Sequence, residues 1–467
     1  MDALNSIIIS FNDFLWTYIL IAMLLALGLY FSIKTNFVQF RYIKEMFRLL
    51  GDGIGNKNKK GSISSFQAFC ISTASRVGTG NLAGIAIAIA AGGPGAIFWM
   101  WIIALLGSAS SFIESTLAQI YKEKDVDGTF KGGPAYYMEK GLNKKWMGVL
   151  FSILITISFG LVFNAVQANT ITASFHEAFN VNEIVVAIIL SIITLFVIFG
   201  GVHRVAKVSE VIVPVMAVAY ILVALFIILI NFSKLPETIT LIFENAFGFR
   251  QFTGGTLGGI ILIGVKRGLF SNEAGMGSAP NAAATASVSH PVKQGLIQTL
   301  GVFTDTLIIC SCTAFIILLS GVDYTSGGVE GIQLTQRALS AQVGSWGNIF
   351  IAICILLFAF SSIVGNYYYG ESNISFLTSK KRYIFLYRIF VVFMVFSGCL
   401  AKVSIVWNLA DVFMGFMAIV NLIAIFLLSK IAFAALKDYT EQKKKGIKDP
   451  IFKKDSIEGL ENISEWE

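Results

Sequence analysis

Two stretches of this chain place polar and helix-weakening residues inside long apolar runs. At 74–84 the sequence reads ASRVGTGNLAG, with Gly78, Gly80 and Gly84 set among Ser75, Arg76, Thr79 and Asn81; at 264–286 it reads GVKRGLFSNEAGMGSAPNAAATA. Breaking a helix frees N–H groups on one side and C=O groups on the other, and in hydrocarbon these must find partners. The chemistry on offer is therefore binding. Amides and the positive end of a half-helix suit a carboxylate, while carbonyl oxygens suit Na+ or an ammonium group. Glycine supplies both the backbone freedom and the close approach. Small residues also serve plain helix packing in membranes, but packing explains neither Thr79 and Asn81 beside the glycines nor a second interruption.

The elements that must carry these stretches follow from composition. Of 467 residues, 55% are hydrophobic and 13% charged, about half the ~25% charge of soluble domains. Apolar runs recur from end to end, so the chain reads as one all-α integral membrane domain with no separate soluble unit. A span needs ~20 apolar residues, which gives eleven candidates near 14–33, 63–90, 94–121, 147–174, 183–200, 209–231, 254–288, 294–320, 346–369, 383–401 and 405–430. The first, FLWTYILIAMLLALGLYFSI, follows Asp2 and Asp13 rather than lysines and lacks a small-residue cleavage site, so it reads as a retained span.

Lys and Arg accumulate on the cytoplasmic side of short loops. With the amino terminus outside, segments 34–60, 122–145, 201–207, 290–293, 378–388 and the tail from 430 hold 28 of the 35 basic residues, and the outer segments hold only Lys234, Arg250, Arg337 and Lys402. Moving the count by one span would scramble this asymmetry. It predicts eleven spans in a cell membrane with the carboxyl terminus cytoplasmic, and it accounts for the net charge of +7 without a nucleic-acid partner. Counted from the second span, the two interrupted segments are the first and the sixth, as an inverted five-plus-five repeat would place them.

Other function classes lack their signatures. The five cysteines (Cys70, Cys310, Cys312, Cys354, Cys399) lie in apolar segments with no CxxC pair, which predicts neither disulfides nor a metal centre. His176, His203 and His290 stand at span ends, away from any catalytic partner. No P-loop is present, nor any repeated filter element of the kind a channel needs.

The stretches VGTGNLAG, FNAVQANT (163–170), GLFSNEAGMGSAPNAAA and GNYYYGE (365–371) closely resemble the alanine or glycine:cation symporters, also called sodium:alanine symporters, over roughly residues 10 to 440. The resemblance implies a leucine-transporter-type fold with one extra N-terminal helix. The organisation is then 1–60 for that helix and a linker, 61–231 for the first repeat, 232–430 for the second, and 431–467 for a cytoplasmic tail. It implies Na+-coupled import of a small neutral amino acid by alternating access, with no cofactor; a proton-coupled relative of the same fold is the alternative.

Carried over motif by motif, the resemblance implies that Thr79 and Gly80 offer amides to the substrate carboxylate, with Asn81 beside the cation or the carboxylate. Gly268, Phe270, Ser271 and Asn272 would line the facing wall, with carbonyls toward the ammonium group. Gln167 either completes the site or makes an interhelical hydrogen bond worth ~1 kcal/mol. For sodium, the carbonyls of Ala74, Val77 and Phe358 would join the hydroxyls of Ser361 and Ser362; hard oxygens suit a hard cation, although paired serines can also bond back to their own helix. Many family members carry Trp where this chain has Asn366, so the position implies room, and an amide, for a polar substrate such as glutamine beside alanine and glycine.

Charges inside spans are expensive. Arg76, Lys266 and Arg267 oppose Glu114, Glu273, Asp305 and Asp411, either as gates that pair and separate or as static pairs, with Arg76 a candidate inner gate. The loop 321–345 is a candidate lid, and the charge-rich tail after 430 reads as a solvated extension.

Overall fold

The computed structural model describes residues 10–55, 62–125, 128–248, 256–325 and 331–466. Apart from the two interruptions, the eleven apolar segments are helical where they are described. In chain order the helices of seven residues or more are α1 (Ser10–Lys34), α2 (Ile43–Gly55), α3 (Ser65–Arg76), α4 (Gly80–Gly92), α5 (Gly95–Ile120), α6 (Pro134–Lys140), α7 (Lys145–Phe179), α8 (Glu183–Ile198) and α9 (Gly201–Ile230). They continue with α10 (Leu235–Ala246), α11 (Leu257–Asn272), α12 (Ala279–Thr285), α13 (Pro291–Leu318), α14 (Ile332–Val343), α15 (Trp346–Leu377), α16 (Lys381–Leu400) and α17 (Val403–Lys444).

Among the described residues, eight helices are long and apolar enough to cross a membrane, nine if the bent pair α3 and α4 is one span. The 16 residues of α8 rise only about 24 Å, short of a ~30 Å hydrocarbon layer. The pair α11 and α12 is divided by six residues. Large apolar side chains such as Ile189, Phe196, Val215 and Leu222 are exposed on α8 and α9, a surface suited to hydrocarbon rather than water.

Local sequence explains both interruptions. Ser64 and Gln67 form a reciprocal capping box that starts α3; after Arg76 the chain turns extended at Val77 (φ −80°, ψ 93°) and resumes as α4, bent by 49°. In the second stretch α11 ends at Asn272, Glu273 takes the left-handed conformation (φ 56°), and Gly275 (φ 86°) and Gly277 (φ 83°) complete a turn that only glycines enter freely. α12 packs on α3, and α11 on the first turn of α4. That first turn, Gly80–Gly84, has the wider π hydrogen-bonding pattern, as do Ser158–Phe163 in α7 and Phe303–Cys310 in α13. Such turns concentrate at functional sites. α5 runs alongside α11, α12 and α13 as a spine.

The tail is not a solvated extension. α17 continues without interruption to Lys444, and the following residues fold back, burying Phe452 and Leu460. Charge-rich composition hides these apolar anchors. The candidate lid, loop 321–345, contains α14. Residues 326–330 lie outside the described residues, but α14 is seated on the bundle, with Thr335 Oγ1 donating to Leu82 O at 3.1 Å and Gln336 Nε2 to Ser174 O at 3.1 Å.

Candidate substrate and cation site

The two breaks face each other in the buried centre. At the first, the Gly78 amide donates to Asn81 Oδ1 at 2.9 Å, and the Thr79 amide donates to Gln167 Oε1 at 2.9 Å. The Gln167 contact comes from the turn of α7 that follows its π segment. Both glycines sit at close approaches. A Cβ on Gly78 would strike Ser362 Oγ and Gln167 Oε1, and one on Gly80 would lie 3.1 Å from the Phe270 ring and 3.2 Å from Ser271 Cα. At Gly84 an added Cβ meets nothing closer than 3.7 Å, so that glycine is not needed for contact.

Beside this break five oxygens converge. Ser362 Oγ lies 2.9 Å from Ala74 O, 3.4 Å from Val77 O and 3.0 Å from Phe358 O, and Ser361 Oγ lies 3.4 Å from Ala74 O and 2.8 Å from Phe358 O. The serines do bond back to their own helix through Phe358 O, but the same hydroxyls also reach the carbonyls freed at the end of α3. Separations of 2.8–3.4 Å are those of hydrogen bonds, and the groups that make them are hard oxygens of the kind a hard cation takes.

On the facing wall, Ser271 Oγ donates to Asp305 Oδ2 at 2.8 Å, and Asn81 Nδ2 donates to Ser271 Oγ at 3.1 Å and Asp305 Oδ1 at 2.6 Å. Thr306 Oγ1 adds a 2.8 Å bond to Asp305 Oδ2. Asp305 is fully buried and ties the first break to α11. The Phe270 ring packs, tilted, between Phe163 and Trp407, each at 4.7 Å between centroids. The Arg267 guanidinium lies 4.7 Å above the Trp407 ring and pairs with Asp411, which Lys266 also approaches at 3.5 Å. An aromatic and ionic layer thus closes the side of the break away from the basic loops.

The second break is satisfied from within. The Glu114 carboxylate on α5 accepts the amides of Gly275 at 3.2 Å and Gly277 at 3.1 Å and the Asn421 side-chain amide at 2.8 Å; Asn421 also donates to Gly275 O at 2.9 Å. Successive amides aimed at one anion form a nest. Glu273 accepts from Ser278 Oγ at 2.6 Å. The Ser75 hydroxyl lies 2.9 Å from Glu273 Oε1 and 2.6 Å from Asn366 Oδ1, and can donate to one at a time.

Several expectations change in this geometry. Thr79's amide is not open: Gln167 holds it. Gly268 packs against α5, where a Cβ would meet Ile103 at 2.5 Å, so its hydrogen face serves helix packing rather than the wall. Asn272 caps the break itself through the Ala274 amide at 3.0 Å. Asn366 meets Ser75, with its amide nitrogen buried and without a partner. Arg76 makes no ion pair among the described residues; it donates to Gln298 O at 3.2 Å and Ser111 Oγ at 3.3 Å. His290 is not isolated, since its Nε2 lies 3.1 Å from Asp438 Oδ2. Asp305 and Glu114 are visible in the sequence as charges in apolar spans, but spacing alone does not say that they bind the two breaks.

The family model described as the sodium:alanine symporter family matches residues 1–454. Similar curated proteins include the "Probable sodium/glutamine symporter GlnT" of Bacillus subtilis, 62% identical over 97% of this chain and 94% of that protein. The "Amino-acid carrier protein AlsT" of the same organism is 58% identical over 99% and 98% of the two chains. The "Sodium/alanine symporter AgcS" of Methanococcus maripaludis is 37% identical over 95% and 99%. Among solved structures, MhsT in complex with L-phenylalanine matches with a TM-score of 0.54 at 15% identity, covering 81% of this chain and 99% of that one. A mutant form of the Eremococcus coleocola manganese transporter matches with 0.54 at 11%, covering 82% and 81%; at these identities the likeness concerns the fold, which is that of leucine-transporter-type carriers. By full-length family match and high identity, the chain belongs to the sodium:alanine symporter family, and it is a membrane transporter rather than an enzyme.

Proposed function

We propose that this protein is a sodium-coupled importer of a small neutral amino acid, built on eleven spans with a five-plus-five inverted repeat after α1, the amino terminus outside and the basic loops in the cytoplasm. The observation that carries the reading is the cluster of five oxygens from Ala74, Val77, Phe358, Ser361 and Ser362 beside the first break. Na+ would take the place of the serine hydrogen bonds as the partner of the three carbonyls, the hydroxyls keeping their protons and turning their lone pairs toward it, and its binding would fix the end of α3 against α15. The substrate carboxylate takes the amides of Thr79 and Gly80, displacing Gln167 Oε1, and its charge sits close to the cation. Carbonyls at the end of α11 take the ammonium group, and Phe270 with Trp407 closes over it.

Glutamine is the substrate we favour, with alanine and glycine as alternatives. Support comes from the 62% identical relative's name and from the unpartnered Asn366 amide, which supplies a polar group within the buried centre. Uptake by purified protein in liposomes under an imposed Na+ gradient tests the reading across the three amino acids. Glutamine uptake that collapses when choline replaces Na+ at constant pH supports it. Unchanged uptake would instead favour proton coupling, for which Asp305, a buried carboxylate held only by neutral donors, is the specific candidate.

A further inference from the structure

Residues 445–466 touch neither break, yet their contacts lead to both. Trp466 Nε1 donates to Gln119 O at 3.1 Å, and its ring lies 4.8 Å from Lys122 Nζ, which also sits 4.0 Å from the Phe130 ring. Lys122 Nζ in turn donates to Ala286 O at 3.0 Å and Gln119 Oε1 at 2.8 Å, and the Gln119 amide donates to Ala286 O at 3.0 Å. Ala286 directly follows α12, whose last carbonyls need outside partners. The next amide, Ser287 N, donates to Ile63 O at 3.0 Å, immediately before the Ser64 cap of α3. The indole is therefore linked through Gln119 and Lys122 to the end of α12, and through α12 to the start of α3.

Three further attachments hold the segment. The Phe452 amide donates to Ser289 O at 2.9 Å, and its buried ring stands between His290 and Trp466, at 5.2 and 5.5 Å. Lys293 pairs with Asp449, and Lys140 Nζ donates to Ser464 Oγ at 2.7 Å. Trp466 itself has φ 83°, a conformation that an L residue other than glycine seldom adopts, so its contacts hold it against a local preference. Exposed ion pairs contribute little; the aromatic anchors carry the attachment, which makes it releasable.

We infer that residues 445–466 form a clasp that holds the basic-end halves of both broken spans, α3 and α12, closed, and that its release sets the rate at which the carrier opens on that side. The consequence for transport rests on the alternating-access reading above; the clasp itself is testable without it. Full-length protein and its Trp466→Ala and Trp466→Phe variants are compared in liposomes by amide hydrogen exchange and by the initial rate of Na+-driven glutamine uptake. Trp466→Ala is expected to speed exchange in 62–72 and 282–290 roughly fivefold while leaving 383–400 unchanged, and to raise the maximal uptake rate; Trp466→Phe, which keeps an aromatic face but loses the donor, falls between. Unchanged exchange in 62–72 and 282–290 overturns the clasp, as does faster exchange in all three segments together with lost uptake, which marks general destabilisation. Faster exchange confined to the two segments, in a protein that transports nothing under any gradient, keeps the clasp and removes the transport reading.

Discussion

At the first break the amides of Gly78 and Thr79 are held by neutral oxygens, those of Asn81 and Gln167; at the second, the amides of Gly275 and Gly277 converge on the carboxylate of Glu114. A neutral acceptor can yield to an incoming carboxylate, because the exchange gains a charge-assisted hydrogen bond. A built-in carboxylate repels one: two like charges about 4 Å apart oppose each other by about 4 kcal/mol at an effective dielectric near 20. On the proposed reading, the same local device, an interrupted helix, serves as a ligand site in one span, where the Asp305 carboxylate is already bonded to Asn81, Ser271 and Thr306, and as a fixed turn in the other. The glycines divide in the same way. Gly78 and Gly80 lie outside the positive-φ region and are constrained by neighbours alone, whereas Gly275 and Gly277 take positive φ, with Gly277 also hemmed in by Phe151, Pro134 and Asn421.

Removing the internal anion breaks the comparison hardest. Glu114→Ala leaves two buried amides and the Asn421 side chain short of an acceptor, and is expected to lower stability by about 3 kcal/mol or more, read as a fall in melting temperature of the detergent-solubilised protein. An unaltered melting curve would mean that the second break does not depend on Glu114. Gly78→Ala follows: the added methyl strikes Ser362 and Gln167, so uptake should be abolished while the melting temperature falls by less than in Glu114→Ala. Ser362→Ala removes one proposed cation ligand, and the Na+ concentration for half-maximal uptake should rise about tenfold, with a smaller change in apparent substrate affinity. Gln167→Ala is the mildest. Opening the Thr79 amide without touching Glu114 should shift substrate affinity severalfold, and a change of melting temperature as large as that of Glu114→Ala would erase the distinction between the breaks.

Much of this arrangement is legible in the chain. Apolar runs and glycine-rich interruptions locate the helices and both breaks, because span length and backbone freedom are local properties. Ser361 and Ser362, named from the family resemblance, lie within hydrogen-bond distance of the carbonyls of Ala74 and Val77. What the sequence conceals is the direction of buried polar groups. Glu114 and Asp305 are separated from their partners by 161 and 224 residues at the Gly275 and Asn81 contacts, and no periodicity connects such positions. Gly268 departs from the expected wall for a related reason: one residue along a helix turns the side-chain direction by about 100°, which carries it from the wall to the spine α5. The tail defeats a reading by composition because a few apolar anchors, Phe452, Leu460 and Trp466, outweigh the surrounding charge once the basic end of the bundle offers them a surface.

A structure determined with Na+ and glutamine bound tests the central claim most directly. The account predicts the substrate carboxylate on the amides of Thr79 and Gly80, Gln167 withdrawn from Thr79, and Glu114 still bridging Gly275 and Gly277. A carboxylate seated on Gly275 and Gly277, with Glu114 swung away and Gln167 unmoved, would contradict it.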